Sequence, residues 1–214
     1  SDKVIDALAS TTPECTSLLR EEILDVNVFE NRDAVLIGSG LGLNEQSERY
    51  VIDTLKNVKC PLVIDGDALT IVSKHLDLLK SCSMPIILTP HHGEFKRLCF
   101  YNDELEMIEK VSQFALEYGV IVVLKGPNTI ITDGNEVYRN ITANKAMATA
   151  GMGDVLAGMI TSFVGQGYLP KDAAILGTYL HGSCGDIIGD NSYTVIPSKL
   201  INLIPKVMHE IINE

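Results

Sequence analysis

Four short apolar runs, each bounded by turn residues, dominate the hydrophobic pattern: residues 34–37 (AVLI), 61–64 (PLVI), 85–88 (PIIL) and 120–124 (VIVVL). Runs of this length without polar alternation are typical of strands that are buried on both faces of a parallel sheet. Stretches with helical periodicity lie between them, near residues 45–56, 68–79 and 104–118. Because strands and helices alternate, the pattern predicts a mostly parallel α/β sheet with right-handed crossovers.

The pattern changes after residue 124. Residues 129–132 and 136–138 flank Asp133, Gly134 and Asn135, which is a β-hairpin signal. Helical periodicity then covers residues 154–164, 171–188 and 198–212. The sequence shows no Pro-, Ser- or Gly-rich linker, no repeat and no low-complexity tract. We therefore predict a single domain over residues 1–214.

The composition restricts the classes of partner. Hydrophobic residues make up 46% of the 214 residues and charged residues 21%, which is ordinary for a globular protein. The formal net charge is −11. Because affinity for nucleic acid depends on Lys and Arg, we expect no nucleic-acid partner. The acidity does not exclude a small anionic ligand, since a cluster of backbone N–H groups can hold one.

The cysteines and the apolar runs indicate the compartment. The cysteine count is odd, at five, and no CxxC pair or dense framework is present: Cys15, Cys60, Cys82, Cys99 and Cys184. We interpret them as reduced, mostly buried thiols and expect no zinc site. No apolar run approaches the roughly 20 residues that span a bilayer, and the first ten residues show no signal-peptide pattern. These observations predict a cytoplasmic protein without a membrane partner.

The strongest chemical signal is the segment ATAGMGDVLAG at residues 148–158, where small residues lead into a predicted helix. Gly151 and Gly153 allow the backbone to approach a phosphate closely, and the N–H groups of the first helical turn can bind the anion. Asp154 can serve as the base toward an attacking hydroxyl. The alternative is that Asp154 is a plain N-cap and the glycines serve packing.

Further polar segments follow the predicted strands, where open α/β sheets bind ligands. GSGLG at residues 38–42 is a weak nucleotide-loop signal that any tight turn could produce. Asp65 and Asp67 could polarise a substrate or hold Mg²⁺ through water, or they could cap the following helix. Residues 125–129 (KGPNT) offer a positive charge and backbone N–H groups to a nucleotide, although a solvated turn is the favoured explanation when the segment is taken by itself.

Histidines give two further signals, and the stronger is LTPHHGEFKRL at residues 88–98, which ranks next after ATAGMGDVLAG. His91 and His92 follow the third predicted strand and, being adjacent, point in different directions, so they are not expected to share a metal. One of them facing a ligand is the functional hypothesis, and a surface loop with a helix beginning at Gly93 and Glu94 is the alternative. We interpret His181, in LHGSCGD at residues 180–186, as a packing residue whose hydrogen bonds are satisfied.

Taken together, six segments resemble the ADP/ATP-dependent NAD(P)H-hydrate dehydratases, a family of the ribokinase-like superfamily. In chain order they are GSGLG (38–42), VIDGDAL (63–69), ILTPHHGEF (87–95), VVLKGPNTII (122–131), MATAGMGDVLAG (147–158) and LHGSCGD (180–186). The resemblance runs from about residue 34 to the end of the chain. It implies a three-layer ribokinase-like fold with a central sheet flanked by helices. It also implies repair of hydrated NADH and NADPH: the hydroxyl of the S-epimer is phosphorylated from ADP or ATP, and phosphate is then lost.

The resemblance also implies residue roles. Asp154 matches the catalytic base, and Gly40 and His91 match positions that contact the hydrate. The nucleotide is contacted by residues that match the family's loop and its phosphate-binding turn: Lys125, Gly126, Pro127, Asn128, Thr129, Gly151 and Gly153. The co-substrate is expected to be ADP or ATP with Mg²⁺, no resident metal is expected, and the family makes a homo-oligomer the expected assembly.

Two departures from the family pattern are visible. Ser39 stands where the family usually has Pro, which we interpret as a detail of turn stiffness. The family also begins with a Gly-rich strand–turn–helix unit that ends near a Pro-Glu like Pro13–Glu14, and we expect that unit to be missing from these 214 residues.

Other functions of the same fold stay open at this point. One is a small-molecule kinase acting on a vitamin-precursor alcohol such as hydroxymethylpyrimidine or hydroxyethylthiazole. Another is a nucleotide-sensing module without catalysis, against which Asp154 argues because a binder gains nothing from a carboxylate beside a phosphate.

Overall fold

A computed structural model describes residues 2–18 and 30–213, which form two compact units, Ser1–Asn31 and Arg32–Glu214. The first unit contains helix α1 (Asp2–Thr11), for which the sequence pattern made no prediction. All other elements in the described ranges belong to the second unit. Within the described ranges, no helix combines the length and the apolar character needed to cross a membrane. The single domain over residues 1–214 stays a prediction.

The second unit is built on one six-stranded sheet whose strands follow their sequence order. The strands are β1 (Val35–Ile37), β2 (Leu62–Ile64), β3 (Ile86–Leu88), β4 (Ile121–Leu124), β5 (Ile130–Thr132) and β6 (Val137–Arg139). The first four are parallel, and β5 and β6 are antiparallel to their neighbours. The four predicted strands and the hairpin are therefore confirmed, each within a residue or two of its predicted bounds. The predicted burial holds for β2 to β4, whereas β1 is half-buried.

Eight further α-helices and one 3₁₀ turn complete the unit. They are α2 (Glu45–Asn57), α3 (Gly66–Val72), α4 (Asp77–Ser81), α5 (His92–Leu98), α6 (Glu104–Tyr118), the 3₁₀ turn Lys145–Met147, α7 (Met152–Gly165), α8 (Pro170–Gly189) and α9 (Pro197–Asn213). The single helix predicted near residues 68–79 is wrong, because the chain turns between α3 and α4. The Ser73 hydroxyl donates to the Thr70 carbonyl and the His75 N–H to the Val72 carbonyl, which closes α3 at this point.

The sheet separates two apolar cores, which makes the fold three-layered. Leu62 and Ile64 of β2 pack into a core with α2 to α6, whereas Val63 between them packs into a second core with α7 to α9. Because neighbouring side chains of a strand point to opposite faces, one apolar run supplies both cores. This arrangement confirms the predicted α/β class with helices on both faces of the sheet.

Helix α8 owes its position to a face made of glycine. A Cβ atom built at Gly182 would collide with Thr142, one at Gly185 with Met147, and one at Gly189 with Asn144. The Thr142 hydroxyl also donates to the carbonyl of Tyr179 on α8, over 3.0 Å. The glycines of LHGSCGD thus allow the segment that precedes α7 to lie directly on the helix backbone.

The cysteines are all free. Cys60 and Cys184 are buried, and burial raises the pKa of the Cys184 thiol to about 11. Cys82 and Cys99 are half-buried and Cys15 is exposed, so the expectation of mostly buried thiols is wrong. A buried thiol with a raised pKa carries little thiolate at neutral pH and is therefore a packing group.

Candidate active site

The first turn of α7 is open to an anion. Gly151 precedes the helix with φ +88°, a left-handed conformation that favours glycine, and the helix begins at Met152. In the part of the chain that the structure describes, the N–H groups of Gly153 and Asp154 donate no hydrogen bond. Unsatisfied N–H groups at a helix start attract negative charge, which is also favoured by the helix dipole. The geometry therefore supports the predicted phosphate turn.

Asp154 is the third residue of α7 and does not cap it. The N-cap position belongs to Gly151, so the interpretation of Asp154 as a plain N-cap is wrong. Its side chain is exposed and has no hydrogen bond or ion pair with any other described residue. A carboxylate beside an anion site with no structural partner is available to accept a proton.

A half-buried lysine lies next to this turn. The Lys125 ammonium donates to Asp65 Oδ1 at 2.6 Å, and Glu94 Oε2 is 4.0 Å from the same Nζ. A Cβ atom placed on Gly153 would be 3.1 Å from Lys125 Nζ. Gly153 therefore allows the ammonium to approach the first turn of α7, and positive charge and free N–H groups meet at one place.

The two carboxylates after β2 have different partners, and neither caps α3. Asp65 is 3% exposed and accepts from the Thr89 hydroxyl at 2.7 Å as well as from Lys125. Asp67 accepts from the N–H of Gly42 at 2.7 Å. The interpretation of both as helix caps is wrong: Asp65 occupies the N-cap position without a side-chain bond to α3. These carboxylates connect strand ends instead.

The loop of residues 38–42 packs on the turn after β2. Gly38 has φ +129°, and a Cβ atom there would collide with the carbonyl oxygen of Asp65, so only glycine fits. The bond from Gly42 to Asp67 holds the far end of the same loop. Gly40 lies between them with open space beside its Cβ position. Ser39, where the family usually has Pro, does not prevent this turn from forming.

The adjacent histidines have separate tasks, as their sequence predicts. His91 is the N-cap of α5: its Nδ1 accepts from the N–H groups of Gly93 and Glu94, at 2.9 and 3.2 Å, and its own N–H donates to Glu94 Oε2. Both alternatives for this segment are therefore partly present, because a helix begins here while the His91 side chain stays 57% exposed. His92 Nδ1 contacts the Tyr101 hydroxyl at 3.1 Å.

The turn of residues 125–129 joins β4 to β5. The Thr129 hydroxyl accepts from the Gly126 N–H and donates to the Gly126 carbonyl, which closes the turn. Pro127 and Asn128 at its tip are exposed. The backbone N–H of Lys125 donates to the Pro90 carbonyl, so the turn lies beside the segment that carries His91.

His181 is the residue that sequence reasoning undervalued. It is 9% exposed, and its Nε2 is the only buried side-chain polar atom without a partner among the described residues. Burial lowers the pKa of the ring to about 4, opposed by a hydrogen bond with the backbone of Met152 and assisted by the charge of Lys125. The ring is therefore neutral and lies at the start of α7. The interpretation as a satisfied packing residue is wrong for Nε2.

Within the described ranges, no group of three or more His, Cys, Asp or Glu side chains is arranged to hold a metal ion. Of the sequence-predicted positions, the structure brings Lys125 and Gly153 into direct proximity. It places Gly40 after β1 and His91 after β3, at the same edge of the sheet, which is the edge formed by the carboxyl ends of β1 to β4. An open sheet of this kind binds its ligands at that edge.

The mostly parallel six-stranded sheet, covered by helices on both faces and carrying this glycine turn, defines a ribokinase-like protein. A family model described as NAD(P)H-hydrate dehydratase matches residues 1–206. The chain is 38% identical over 208 residues to the ADP-dependent (S)-NAD(P)H-hydrate dehydratase of Staphylococcus aureus, covering 96% of this chain and 75% of that protein. It therefore belongs to the NAD(P)H-hydrate dehydratase family.

Other relatives show how much of each protein is shared. The chain is 36% identical to a bifunctional NAD(P)H-hydrate repair enzyme of Thermofilum pendens, over 88% of this chain but 37% of that protein. A crystal structure of the ADP/ATP-dependent NAD(P)H-hydrate dehydratase of Bacillus subtilis, co-crystallised with ATP/Mg²⁺, superposes with a TM-score of 0.83. That match is 30% identical and covers 97% of this chain and 76% of the other.

Proposed function

We propose that this protein uses ADP or ATP to dehydrate the S-epimer of hydrated NADH and NADPH, returning the intact dinucleotide. The observation that carries the proposal is the pairing of an unpartnered, exposed Asp154 with free N–H groups and the Lys125 ammonium at one helix start. Membership of the hydrate dehydratase family supplies the substrate. The site supplies what the reaction needs, a base beside an anion.

The proposed reaction has two steps. The substrate hydroxyl attacks the terminal phosphorus of the nucleotide, its proton passes to Asp154, and the bond from phosphorus to the departing nucleotide breaks. The carbon–oxygen bond of the phosphorylated intermediate then breaks, inorganic phosphate leaves, and loss of a proton from the neighbouring carbon restores the double bond. Lys125 and the first-turn N–H groups stabilise charge on the phosphoryl oxygens in both steps.

The remaining assignments follow the geometry of the loops. We assign the nucleotide to the turn formed by Lys125, Gly126, Pro127, Asn128 and Thr129, and its phosphates to Gly151 and Gly153. We assign the hydrate to Gly40 and His91, because Gly40 has open space beside it and the His91 ring is mostly exposed although one nitrogen caps α5.

Magnesium fits this site as a companion of the nucleotide. Asp65 and Asp67, the carboxylates that could hold it through water, are engaged by Lys125 and by the Gly42 N–H. Mg²⁺ commonly binds through substrate phosphates and waters with one or two carboxylates. Asp154 is then the free carboxylate nearest the phosphate turn. Bound Mg²⁺ would supply charge neutralisation of the polyphosphate.

The wider setting is also a proposal. We place the protein in the cytoplasm as a homo-oligomer whose partners are the nucleotide and the hydrated dinucleotide. Size measurement in solution tests the assembly, and a single monomeric species at working concentration would contradict it.

The experiment that tests the function is a rate measurement on Asp154→Asn. The purified protein is mixed with hydrated NADH and with ADP or ATP, and recovery of NADH absorbance is followed. Asn keeps the shape but accepts no proton at neutral pH, so turnover should fall by about 10²- to 10⁴-fold. Nucleotide affinity should persist or increase, because a like charge beside the phosphates is removed.

Three outcomes decide between the alternatives. Near-parental turnover of Asp154→Asn would remove Asp154 from the catalytic role. Joint loss of turnover and nucleotide binding would indicate a damaged fold. An inactive parent protein that instead transfers phosphate to hydroxyethylthiazole would favour the small-molecule kinase of the same fold.

A further inference from the structure

Asp65 is a buried charge that connects three consecutive strand ends. It follows β2, and its Oδ1 accepts both from Thr89, which follows β3, and from Lys125, which follows β4. The Asp65 side chain is 4% exposed and that of Lys125 is 19% exposed. A desolvated carboxylate without a partner would be strongly unfavourable, so the pair with Lys125 is the condition for burying Asp65 at all.

The same pair determines where the Lys125 ammonium lies. A lysine side chain has a flexible four-carbon stem and would otherwise sample many positions. Here Nζ is held 2.6 Å from Asp65, at the point where a Cβ atom on Gly153 would be 3.1 Å away. Glu94, the second carboxylate near Nζ, is 4.0 Å away and holds the His91 N–H instead. Asp65 is therefore the group that holds Lys125 beside α7.

The pair of Asp65 and Lys125 could increase either nucleotide affinity or the rate of the chemical step, and electrostatics distinguishes the two. A carboxylate next to Lys125 reduces the attraction between the lysine and a polyphosphate, so the pair does not maximise nucleotide affinity. Fixing a charge in advance beside the transferred group lowers the barrier of the chemical step, because no reorientation is needed in the transition state. The arrangement thus favours rate over affinity.

We propose that Asp65, anchored by Thr89, is a positioning residue that holds Lys125 against the first turn of α7 for phosphoryl transfer. This inference rests on the proposed function. It assigns to Asp65 a role through Lys125 and no contact of its own with the substrate. The merely structural alternative is a buried ion pair that stabilises the fold without influencing the reaction.

A double-mutant cycle between Asp65→Asn and Lys125→Met tests the proposal with hydrated NADH and ATP/Mg²⁺. In the parent background, Asp65→Asn should lower kcat by roughly 10- to 100-fold, the effect expected of a misplaced group, while nucleotide Kd changes little. In the Lys125→Met background, Asp65→Asn should cause no further loss of kcat. The same fold loss of kcat in both backgrounds would overturn the proposal.

Nucleotide binding alone provides a second readout of the same cycle. Lys125→Met leaves the Asp65 carboxylate unpaired beside the phosphates, so adding Asp65→Asn should tighten nucleotide binding in that background by roughly tenfold or more. The change in the parent background should be much smaller. Equal changes of Kd in both backgrounds would overturn the positioning role. If the parent binds nucleotide but does not restore NADH, the proposed function fails. The binding cycle still tests whether Asp65 acts through Lys125.

Two further variants guard against damage to the fold. Thr89→Val removes only the hydroxyl that anchors Asp65, and it should lower kcat less than Asp65→Asn does, again only where Lys125 is present. Asp67→Asn is the matched control, because Asp67 lies on the same turn but bonds the Gly42 N–H. Its effect should be the same factor with and without Lys125. Coupling of Asp67 to Lys125 as strong as that of Asp65 would contradict the assignment.

Discussion

Two lysines of this protein each lie between two carboxylates, yet their surroundings differ. Lys125 lies at the carboxyl ends of the parallel strands, 2.6 Å from Asp65 and 4.0 Å from Glu94, whose side chains are 4% and 10% exposed. Lys171 of α8 lies on the hairpin turn, 3.0 Å from Asp133 and 2.6 Å from Glu136, whose side chains are 25% and 56% exposed. The same arrangement of charges is therefore largely buried at the strand ends and more solvent-exposed at the hairpin.

The contrast teaches that number and distance of ion pairs do not reveal their purpose. The hairpin pairs connect a solvated turn to a helix, and such pairs contribute little because water and salt screen them. Burying the pair at the strand ends costs desolvation energy, and a purely structural contact could avoid that cost by using apolar side chains. The position of the pair beside the free N–H groups of α7 indicates that it serves the site rather than the stability of the fold.

The largest expected effect is a loss of stability when the lysine of the buried pair is replaced. Lys125→Met should destabilise the fold by about 3–5 kcal/mol, because it leaves the Asp65 carboxylate buried without a partner. Lys171→Met, the matched control, should change Tm by about 3 °C or less, since its carboxylates remain solvated. Thermal unfolding of both variants checks this, and equal losses would show that burial does not separate the two clusters.

An intermediate effect comes from two glycine replacements, one in each region. A Cβ atom on Gly134 would be 2.6 Å from the backbone nitrogen of Leu116, and the residue has φ +90°, so Gly134→Ala should cost about 1–3 kcal/mol or more. Gly153→Ala meets only the flexible end of Lys125 at 3.1 Å and should leave Tm nearly unchanged.

The readouts of these two alanine variants should be opposite. Gly153→Ala should weaken nucleotide binding several-fold, whereas Gly134→Ala should leave the affinity of the folded fraction as it was. Calorimetric titration below the melting temperature distinguishes them. A Gly134→Ala protein with weakened nucleotide binding would connect the hairpin to the site.

The smallest expected effect is the pH dependence of the hairpin cluster. The backbone N–H of Glu136 and the Lys171 ammonium lower the pKa of Asp133 to about 2, from an ordinary value of 3.8. A lowered pKa in the folded state stabilises the fold fully above the ordinary value, and this stabilisation disappears as pH falls through about 2. The Tm difference between the parent and Asp133→Asn should therefore shrink between these two pH values. A constant difference would show that the charge of Asp133 contributes nothing.

Most of the fold could be predicted because its signals are local. The strands are short apolar runs bounded by Pro, Gly or Asp, and α6 carries its own N-cap Asp103 and its terminating Gly119, so its bounds at 104–118 were predicted fully. Helix α5 was harder, since its capping residue is a histidine rather than a Ser, Thr, Asp or Asn. The break between α3 and α4 depends on a Ser hydroxyl, which sequence periodicity does not show.

The sequence predicted which segments contribute to the site, namely those that follow the strands, but not which side chains contact one another. That Gly151 to Asp154 form an anion turn follows from local chemistry; it stays a prediction, which the open helix start supports. The partner of Lys125 could not be predicted, because Asp65 is 60 positions away and the contact depends on the order of the strands. His181 gave no signal for a similar reason: its importance lies in burial beside Met152 and Lys125, and neither neighbour is close in sequence.

The glycine face of α8 has a consequence for the association rate and the entropy of ligand binding. Because Thr142, Asn144 and Met147 lie directly on the helix backbone, the segment that leads to the phosphate turn is ordered when the chain folds. The conformational entropy of that turn is thus lost during folding and not during association. A ligand that meets a preorganised turn loses little further chain entropy, and its association rate is limited by encounter rather than by a slow rearrangement.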